Sequence, residues 1–179
     1  MKLYIVRHGE TSWNVKKLLQ GKTDISLNEN GINQVKTLEH KLPKNKIDIC
    51  ICSPLKRTIE TANILYSNII KDDLLIERDY GDFEGKSIDY NFISLLWDYK
   101  VNYHDHNVES IKECLERANK FLKKLKKLKK YKAKNILIVS HGSFIKALHY
   151  NLVGYNENTD FLSFNPSNSE LYEYEILDF

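Results

Sequence analysis

Near the amino terminus four residues, Leu3, Tyr4, Ile5 and Val6, run directly into Arg7-His8-Gly9-Glu10-Thr11. A short apolar run with β-branched members, closed by a glycine turn, reads as a buried strand. In an α/β sheet, ligands bind at the carboxyl ends of the strands. A strand ending in Arg7-His8 therefore puts a permanent cation and an imidazole where chemistry is expected. Gly9 lets the backbone turn sharply and leaves space beside it. The Arg7 guanidinium is a planar fork of donors that matches phosphate or carboxylate. The His8 imidazole offers a nitrogen nucleophile or base that can be neutral near pH 7.

The arrangement recurs. The run from Asn135 reads as a strand ending in Ser140-His141-Gly142, with a helix from Ser143 to about Leu152. The second strand in chain order is predicted from Ile47 to Cys52. Ser53 and Pro54 then suit the cap and first position of a helix, which places Arg57 in its first turn. Helix amino-terminal amides together with an arginine favour an anion. Asn28 caps a predicted helix to Leu42 with Ile32, Val35 and Leu38 on its apolar face, and Pro43 ends it. Leu74 to Glu77 reads as a short strand, and residues 78–85 as a glycine-punctuated loop. The aromatic-rich stretch 85–107 is expected to form a cap over the site, in which Phe92, Trp97, Tyr99 or Tyr103 either select the leaving group or only pack the cap, since large aromatics serve either purpose. Glu109 to Lys130 is a long amphipathic helix, with Ile111, Leu115, Ala118, Leu122 and Leu125 forming its stripe. The alternation from Glu170 to Leu177 suggests an edge strand.

Length and composition narrow the class. A chain of 179 residues with 42% hydrophobic and 28% charged residues fits one soluble domain. A net charge of +3 is too balanced to imply nucleic acid. The lysine face of the long helix, which includes Lys123, Lys124, Lys126, Lys127, Lys129 and Lys130, carries no interleaved aromatics on which bases could stack. It is read as a solvated helix face, so neither nucleic acid nor a membrane is expected as partner. No apolar stretch reaches membrane-span length. Arg7 to Glu10 interrupts the first apolar run too early for a signal peptide, so a cytoplasmic protein is expected. With 3 cysteines there is no disulfide framework. Cys50 and Cys52 alternate within a strand and read as small apolar groups. Gly21-Lys22-Thr23 is not a P-loop, because the required earlier glycine is Lys16.

Metal binding is the rival reading of His8 and His141, since histidine is the commonest metal ligand. Arg7 beside His8 opposes it, because a guanidinium next to a cation site is unfavourable. His104-Asp105-His106 lacks companion ligands and reads as surface. No metal and no cofactor are expected.

Arg7-His8-Gly9-Glu10-Thr11, followed by Trp13-Asn14, resembles the signature of the histidine phosphatase superfamily, the phosphoglycerate mutase-like proteins. The resemblance extends through Ser53-Pro54-Leu55-Lys56-Arg57-Thr58-Ile59-Glu60-Thr61-Ala62, Glu77-Arg78-Asp79-Tyr80-Gly81 and Ser140-His141-Gly142, nearly the whole chain. It implies one α/β catalytic domain over residues 1–179: a three-layer α/β/α sandwich with a mostly parallel central sheet and a small helical cap insertion at about 85–107. It implies that His8 attacks phosphorus and forms a phosphohistidine, that Arg7 and Arg57 hold the phosphate, that His141 completes the pocket and that Glu77 donates the proton. Asn14, Gln20, Gly21, Tyr80 and Gly142 match substrate-binding positions. Glu109-Ser110 resembles the family's Gly-Glu-Ser stretch, with Asn107-Val108 in place of its usual glycines.

Physical chemistry supports those roles. A neutral imidazole avoids the repulsion that an anionic nucleophile would meet at a phosphate dianion. Arginines offset the dianion and follow its charge into the transition state. A carboxylic acid protonates the departing oxygen. The expected activity is metal-independent hydrolysis of a small phosphate ester. Cofactor-dependent mutases of the family carry an adjacent arginine pair after the acid and Ser or Thr at the position of Gln20. Residues 85–107 contain no arginine, so mutase is the second reading. A non-catalytic phospho-ligand binding module is a third. It would be marked by loss of a key residue, and Arg7, His8, Arg57, Glu77 and His141 are all present.

Overall fold

The computed structural model describes residues 1–87, 89–127 and 135–176. A five-stranded sheet runs through the centre in the order β3-β2-β4-β1-β5. Its strands are β1 (Lys2–Arg7), β2 (Ile49–Cys52), β3 (Ile69–Lys71), β4 (Ile136–Ser140) and β5 (Leu171–Glu175). The pairs β1–β4, β4–β2 and β2–β3 are parallel, and β5 joins β1 antiparallel at the edge. Parallel strands buried on both faces need apolar residues at every position, which β1 and β4 supply. Leu3, Ile5, Ile136 and Ile138 pack to one side. Tyr4, Val6, Leu137 and Val139 pack to the other, with Cys50 and Cys52 among them.

The helices are α1 (Ser12–Val15), α2 (Glu29–Glu39), α3 (Lys56–Leu65), α4 (Tyr90–Leu96), α5 (Ile111–Lys127) and α6 (Gly142–Val153). α5 and α6 cover the first face of the sheet and α2 and α3 the second, which gives the expected three-layer α/β/α arrangement. Asn28 caps α2 by accepting from the Gly31 amide at 2.7 Å. Ser110 and Glu113 form a reciprocal box at the start of α5. Lys129, Lys130 and Leu177, included in the predicted ends of α5 and β5, lie outside the described residues, as does Ile88 of the insertion.

Two local expectations are corrected. The third parallel strand is Ile69–Lys71, and Asp73–Leu75 is a 3-10 turn, not part of a strand. Asp72 caps the turn by accepting from Leu74 N at 3.2 Å. Arg117 of α5 takes the carbonyls of Leu74 and Ile76 at 2.9 and 2.6 Å, groups that a strand would give to a neighbour. Secondly, α3 begins at Lys56, after Leu55, and Leu55 makes no side-chain cap bond. The Ser53 hydroxyl accepts from Leu55 N at 3.4 Å and also stands 2.8 Å from His141 Nε2.

Candidate active site

β1 and β4 are adjacent and in register, with Arg7 opposite Ser140, and the His8 amide donates to the Ser140 carbonyl at 3.0 Å. The two strand ends therefore deliver His8 and His141 side by side, with ring centroids 5.3 Å apart. Both imidazoles are buried. His8 Nδ1 lies 2.7 Å from the Gly9 carbonyl. A carbonyl only accepts, so Nδ1 carries the proton and Nε2 holds the lone pair. Burial pushes the His8 pKa well below the ordinary imidazole value, and Arg57 and Arg7 push it further. His8 is thus a neutral base with a defined tautomer.

Arg57, on the first turn of α3, is fully buried. Its Nε donates to His141 Nδ1 at 3.1 Å, and its two Nη atoms donate to the Thr23 and Gly21 carbonyls at 2.9 and 2.6 Å. An imidazole nitrogen that accepts from a guanidinium is unprotonated, so neutral His141 carries its proton on Nε2, towards Ser53 Oγ. Burial, then Arg57, hold the His141 pKa well below its usual value. Burial lowers the Arg57 pKa to about 10, so it is still a cation at neutral pH.

The Glu77 carboxyl accepts three backbone amides. Oε1 takes Arg78 N at 2.8 Å and Phe144 N at 2.9 Å, and Oε2 takes Ser143 N at 3.1 Å. Burial raises its pKa, opposed by the Ser143 and Arg78 amides and by Arg57 and Arg7. The Tyr80 hydroxyl stands 2.6 Å from Ser143 Oγ.

A cleft of about 480 Å³ opens here, with Arg7, Asn14, Gln20, Glu77, Tyr80 and Gly142 in its lining. His8, Arg57 and His141 are buried beside these residues and do not line it. Arg7 Nε and Gln20 Nε2 are buried donors with no hydrogen-bond partner among the described residues. A Cβ on Gly142 would sit 3.3 Å from Arg7 Cζ, tight enough to crowd the guanidinium. Asn14 closes a capping box with Thr11, and its Nδ2 lies 3.4 Å from Gln20 Oε1. Gly21 stands apart from the cleft. Its carbonyl serves Arg57, and a Cβ there would fall 2.0 Å from Glu84 Oε1.

A family model of the histidine phosphatase superfamily (branch 1) matches residues 3–178. The chain belongs to that superfamily. An uncharacterized phosphatase, PhoE, of Bacillus subtilis is 38% identical over 80% of this chain and 73% of its own length. A phosphoglycerate mutase of Schizosaccharomyces pombe is 30% identical over 85% of this chain and 79% of its own. The crystal structure of an Entamoeba histolytica phosphoserine phosphatase in complex with 3-phosphoglyceric acid superposes with a TM-score of 0.83. It shows 30% identity and covers 96% of this chain and 89% of that one. The superfamily thus includes both phosphatases and mutases among this chain's relatives.

Several site residues escaped the sequence reading. Ser53, which suits a helix cap in sequence, stands against His141. The turn 165–169 grips the first motif: the Pro166 carbonyl accepts from Arg7 Nη1 at 2.7 Å, and Asn168 Nδ2 donates to the His8 carbonyl at 2.8 Å. Lys146 lines the cleft from within an otherwise apolar part of α6, and that lone lysine among Phe144, Ile145, Ala147 and Leu148 was a readable signal. In the insertion, Trp97 lines the cleft together with Tyr90 and Ile93. Phe92, Tyr99 and Tyr103 do not line it. Phe92 packs on Phe83 and Tyr103, and Tyr99 stacks on Phe161. No group of three or more His, Cys, Asp or Glu among the described residues is placed to hold a metal ion. No helix among them is long and apolar enough to cross a membrane.

Proposed function

We propose that the protein is a metal-independent phosphomonoesterase that hydrolyses a small phosphorylated metabolite through a phosphohistidine at His8. The observation that carries this reading is the His8 Nδ1 contact with the Gly9 carbonyl, which leaves Nε2 as an unprotonated nucleophile in the neutral ring. Arg7 and Arg57 supply fixed positive charge to the phosphoryl oxygens and follow that charge into the transition state. The free Nε of Arg7 and the free Nε2 of Gln20 are donors of the type a phosphate needs.

In the first step His8 Nε2 forms a bond to phosphorus as the ester P–O bond breaks, and Glu77 gives its proton to the departing oxygen. Oε1 of Glu77 already accepts two amides and Oε2 only one, so the acid proton belongs on Oε2. In the second step the Glu77 carboxylate takes a proton from water, the water oxygen bonds to phosphorus, and the P–N bond breaks to restore neutral His8. His141, neutral, accepts from Arg57 Nε and so holds that guanidinium in place beside the phosphoryl site.

Mutase activity is the second reading, favoured by the likeness of Glu77 to Gly81 to the mutase pattern. Against it stand Gln20 and the absence of arginine from residues 85–107.

The deciding experiment is rapid-quench labelling with a phosphate ester in chelator. An acid-labile, alkali-stable phosphoenzyme should be trapped and should be abolished by His8→Ala. Wild-type turnover in the variant would overturn the mechanism. Interconversion of 2- and 3-phosphoglycerate faster than hydrolysis of every ester tested would favour the mutase.

A further inference from the structure

Asn168 does not line the cleft, yet its side-chain amide meets the site at two points. Nδ2 stands 2.8 Å from the His8 carbonyl and 3.4 Å from Asn14 Oδ1. The turn that carries it is pinned to the same strand end. The Ser169 amide donates to the Arg7 carbonyl at 3.0 Å, and the Pro166 carbonyl accepts from Arg7 Nη1 at 2.7 Å. Ser169 sits at φ 55°, in the left-handed region that residues other than glycine rarely adopt. Such a conformation persists where surrounding contacts fix it. On the other side of the peptide, the Gly9 amide donates to Thr61 Oγ1 at 3.1 Å. The His8–Gly9 peptide is therefore held at its oxygen by Asn168 and at its nitrogen by Thr61. The next carbonyl, that of Gly9, holds the His8 ring.

The Asn168 amide has a fixed sense. A backbone carbonyl only accepts, so the atom facing His8 is the NH2 group. An NH2 group only donates, so the Asn14 atom it faces is the oxygen. The Thr11 amide donates to that same atom at 3.0 Å and requires the same assignment. The Asn14 NH2 is left to face Gln20, 3.4 Å from Oε1. Gln20 must then turn its own NH2 away, and that nitrogen is the buried donor without a partner among the described residues. Asn14 and Gln20 both line the cleft. Three amides thus form one relay from the His8 carbonyl to a free donor. At 3.4 Å its two inner contacts are long. They act by exclusion, because reversing Asn14 sets oxygen against oxygen and NH2 against NH2.

Resting on the reading that the phosphoryl group binds at the Arg7–His8 end of the cleft, we propose that Asn168 is a positioning residue for the reaction. Its NH2 group sets the backbone of the nucleophile and, through Asn14, directs the Gln20 donor to the phosphoryl oxygens. One side chain that touches neither substrate nor reacting atoms registers the two to each other. A carboxylate of the same shape cannot replace it, because it carries no N–H.

The test uses Asn168→Ala and Asn168→Asp, each with a thermal melt. It reads hydrolysis of p-nitrophenyl phosphate and competitive inhibition by inorganic phosphate. Asn168→Ala should lower kcat and weaken phosphate inhibition by roughly 3- to 10-fold each, the scale of one neutral hydrogen bond. Asn168→Asp should do so by about 10- to 100-fold, because an oxygen then faces two acceptors. Gln20→Ala supplies the readout that loss of support alone would not move. No hydrogen bond joins Asn168 directly to Gln20 among the described residues, and independent effects multiply. In the relay they do not. Once Gln20 is replaced, Asn168→Ala should change phosphate inhibition by less than about twofold, while the loss of kcat through the His8 backbone remains. Asn168→Asp takes its place in this cycle should the alanine variant not fold. Fully multiplicative effects on phosphate inhibition, or unchanged inhibition in a folded Asn168 variant, overturn the proposal.

The phosphatase reading fails separately, when the wild-type protein turns over no phosphate ester. Calorimetric binding of inorganic phosphate then decides Asn168 without turnover. Weaker binding in the Asn168 variants, with the difference lost on adding Gln20→Ala, supports the relay. Equal binding overturns it, as does a wild-type protein that binds no phosphate.

Discussion

Arg57 Nε donates to His141 Nδ1 at 3.1 Å, and the same guanidinium reaches two backbone carbonyls of the 20–23 loop. One side chain therefore ties a strand end, a helix start and a loop into a single buried unit, and does so with three of the five N–H donors an arginine has. Arg57→Lys keeps the charge but cannot reproduce three directed bonds from a planar fork. It is expected to lower kcat by about 10²- to 10³-fold, the range for losing one fixed donor at a developing anion. Steady-state kinetics on p-nitrophenyl phosphate, with a thermal melt to verify folding, provides the check. A variant within threefold of wild type would remove Arg57 from the reaction.

Glu84 acts one step further out. Its carboxylate accepts Lys22 N at 2.7 Å, Thr23 N at 2.8 Å and Tyr80 N at 3.3 Å, and the Thr23 hydroxyl also donates to it. It thereby sets the loop whose carbonyls hold Arg57. Glu84→Ala is predicted to lower kcat more than it raises KM. Hydrogen bonds to a charged group are worth about 1.5–3 kcal/mol when well shielded. A loss towards the lower end suits this partly exposed carboxylate and corresponds to a melting temperature several degrees lower. Both Glu84 oxygens accept, so Glu84→Gln keeps one acceptor and turns an amine against donors at the other. Only partial recovery of kcat over Glu84→Ala is expected, and a kcat within threefold of wild type in the alanine variant would remove Glu84 from the support of Arg57.

The strand ends at Arg7-His8-Gly9 and Ser140-His141-Gly142 were legible because each is a continuous apolar run closed by polar residues and a glycine, a local pattern. The burial of both sheet faces followed from the same runs. What was illegible depends on distant partners. Residues 74–77 look like a strand until Arg117, more than forty positions away, claims their carbonyls. Ser53 suits a helix cap in sequence and does accept from Leu55 N, but only the neighbouring end of β4 brings His141 to the same hydroxyl. The grip of residues 166 and 168 on Arg7 and His8 spans almost the entire chain. Polar contacts of that kind leave no periodicity to read.

Gly31 illustrates a constraint that sequence alone expresses weakly. A Cβ there would fall 2.2 Å from the Glu10 carbonyl oxygen, so α2 approaches the first motif with no room to spare. Gly31→Ala must push the helix and the Arg7–Glu10 turn apart. Alanine is the better helix former, yet the variant is predicted to be destabilised by about 1–3 kcal/mol, the usual cost of overpacking. Calorimetry decides the sign. A melting temperature equal to or above that of the wild type would show that the turn yields freely.

The insertion divides into two kinds of aromatic residue. Tyr90 is 72% exposed at the mouth of the cleft, whereas Tyr99 stacks on Phe161 outside its lining. Tyr90→Ala is predicted to alter the ranking of phosphate esters with little change in melting. Tyr99→Ala is predicted to lower the melting temperature and leave the ranking intact. A substrate panel run on both variants makes the comparison, and the opposite pattern would assign selection to the half-buried Tyr99 ring.

Glu77 carries the final prediction. Burial favours its neutral form, while amide donors and two arginines favour the carboxylate, and the net direction is upward from the usual value. A phosphate dianion beside it would raise the pKa further. The acid form is therefore retained to higher pH than in an ordinary glutamate, and loss of the phosphorylation step is expected as pH rises through that raised value. The sign for stability is the same. A carboxyl whose folded pKa is raised stabilises the fold as the neutral group at low pH, and that contribution declines as pH rises from the unfolded towards the folded pKa. Glu77→Gln mimics the neutral acid but cannot donate a proton to a leaving alkoxide. It should slow alkyl phosphates by ~10²–10⁴-fold and p-nitrophenyl phosphate far less, because nitrophenolate departs without assistance. The alkaline decline in the rate on alkyl esters should vanish in the variant. The amide of the glutamine turns one donor towards Ser143 N, so a small loss of stability is expected at acidic pH. Equal slowing of the two leaving groups in a folded variant would mean that Glu77 only anchors the start of α6 through Ser143 and Phe144. The proton would then have to come from elsewhere, with Glu10, Asp79, Asp82 and Glu84 the carboxyls to substitute next.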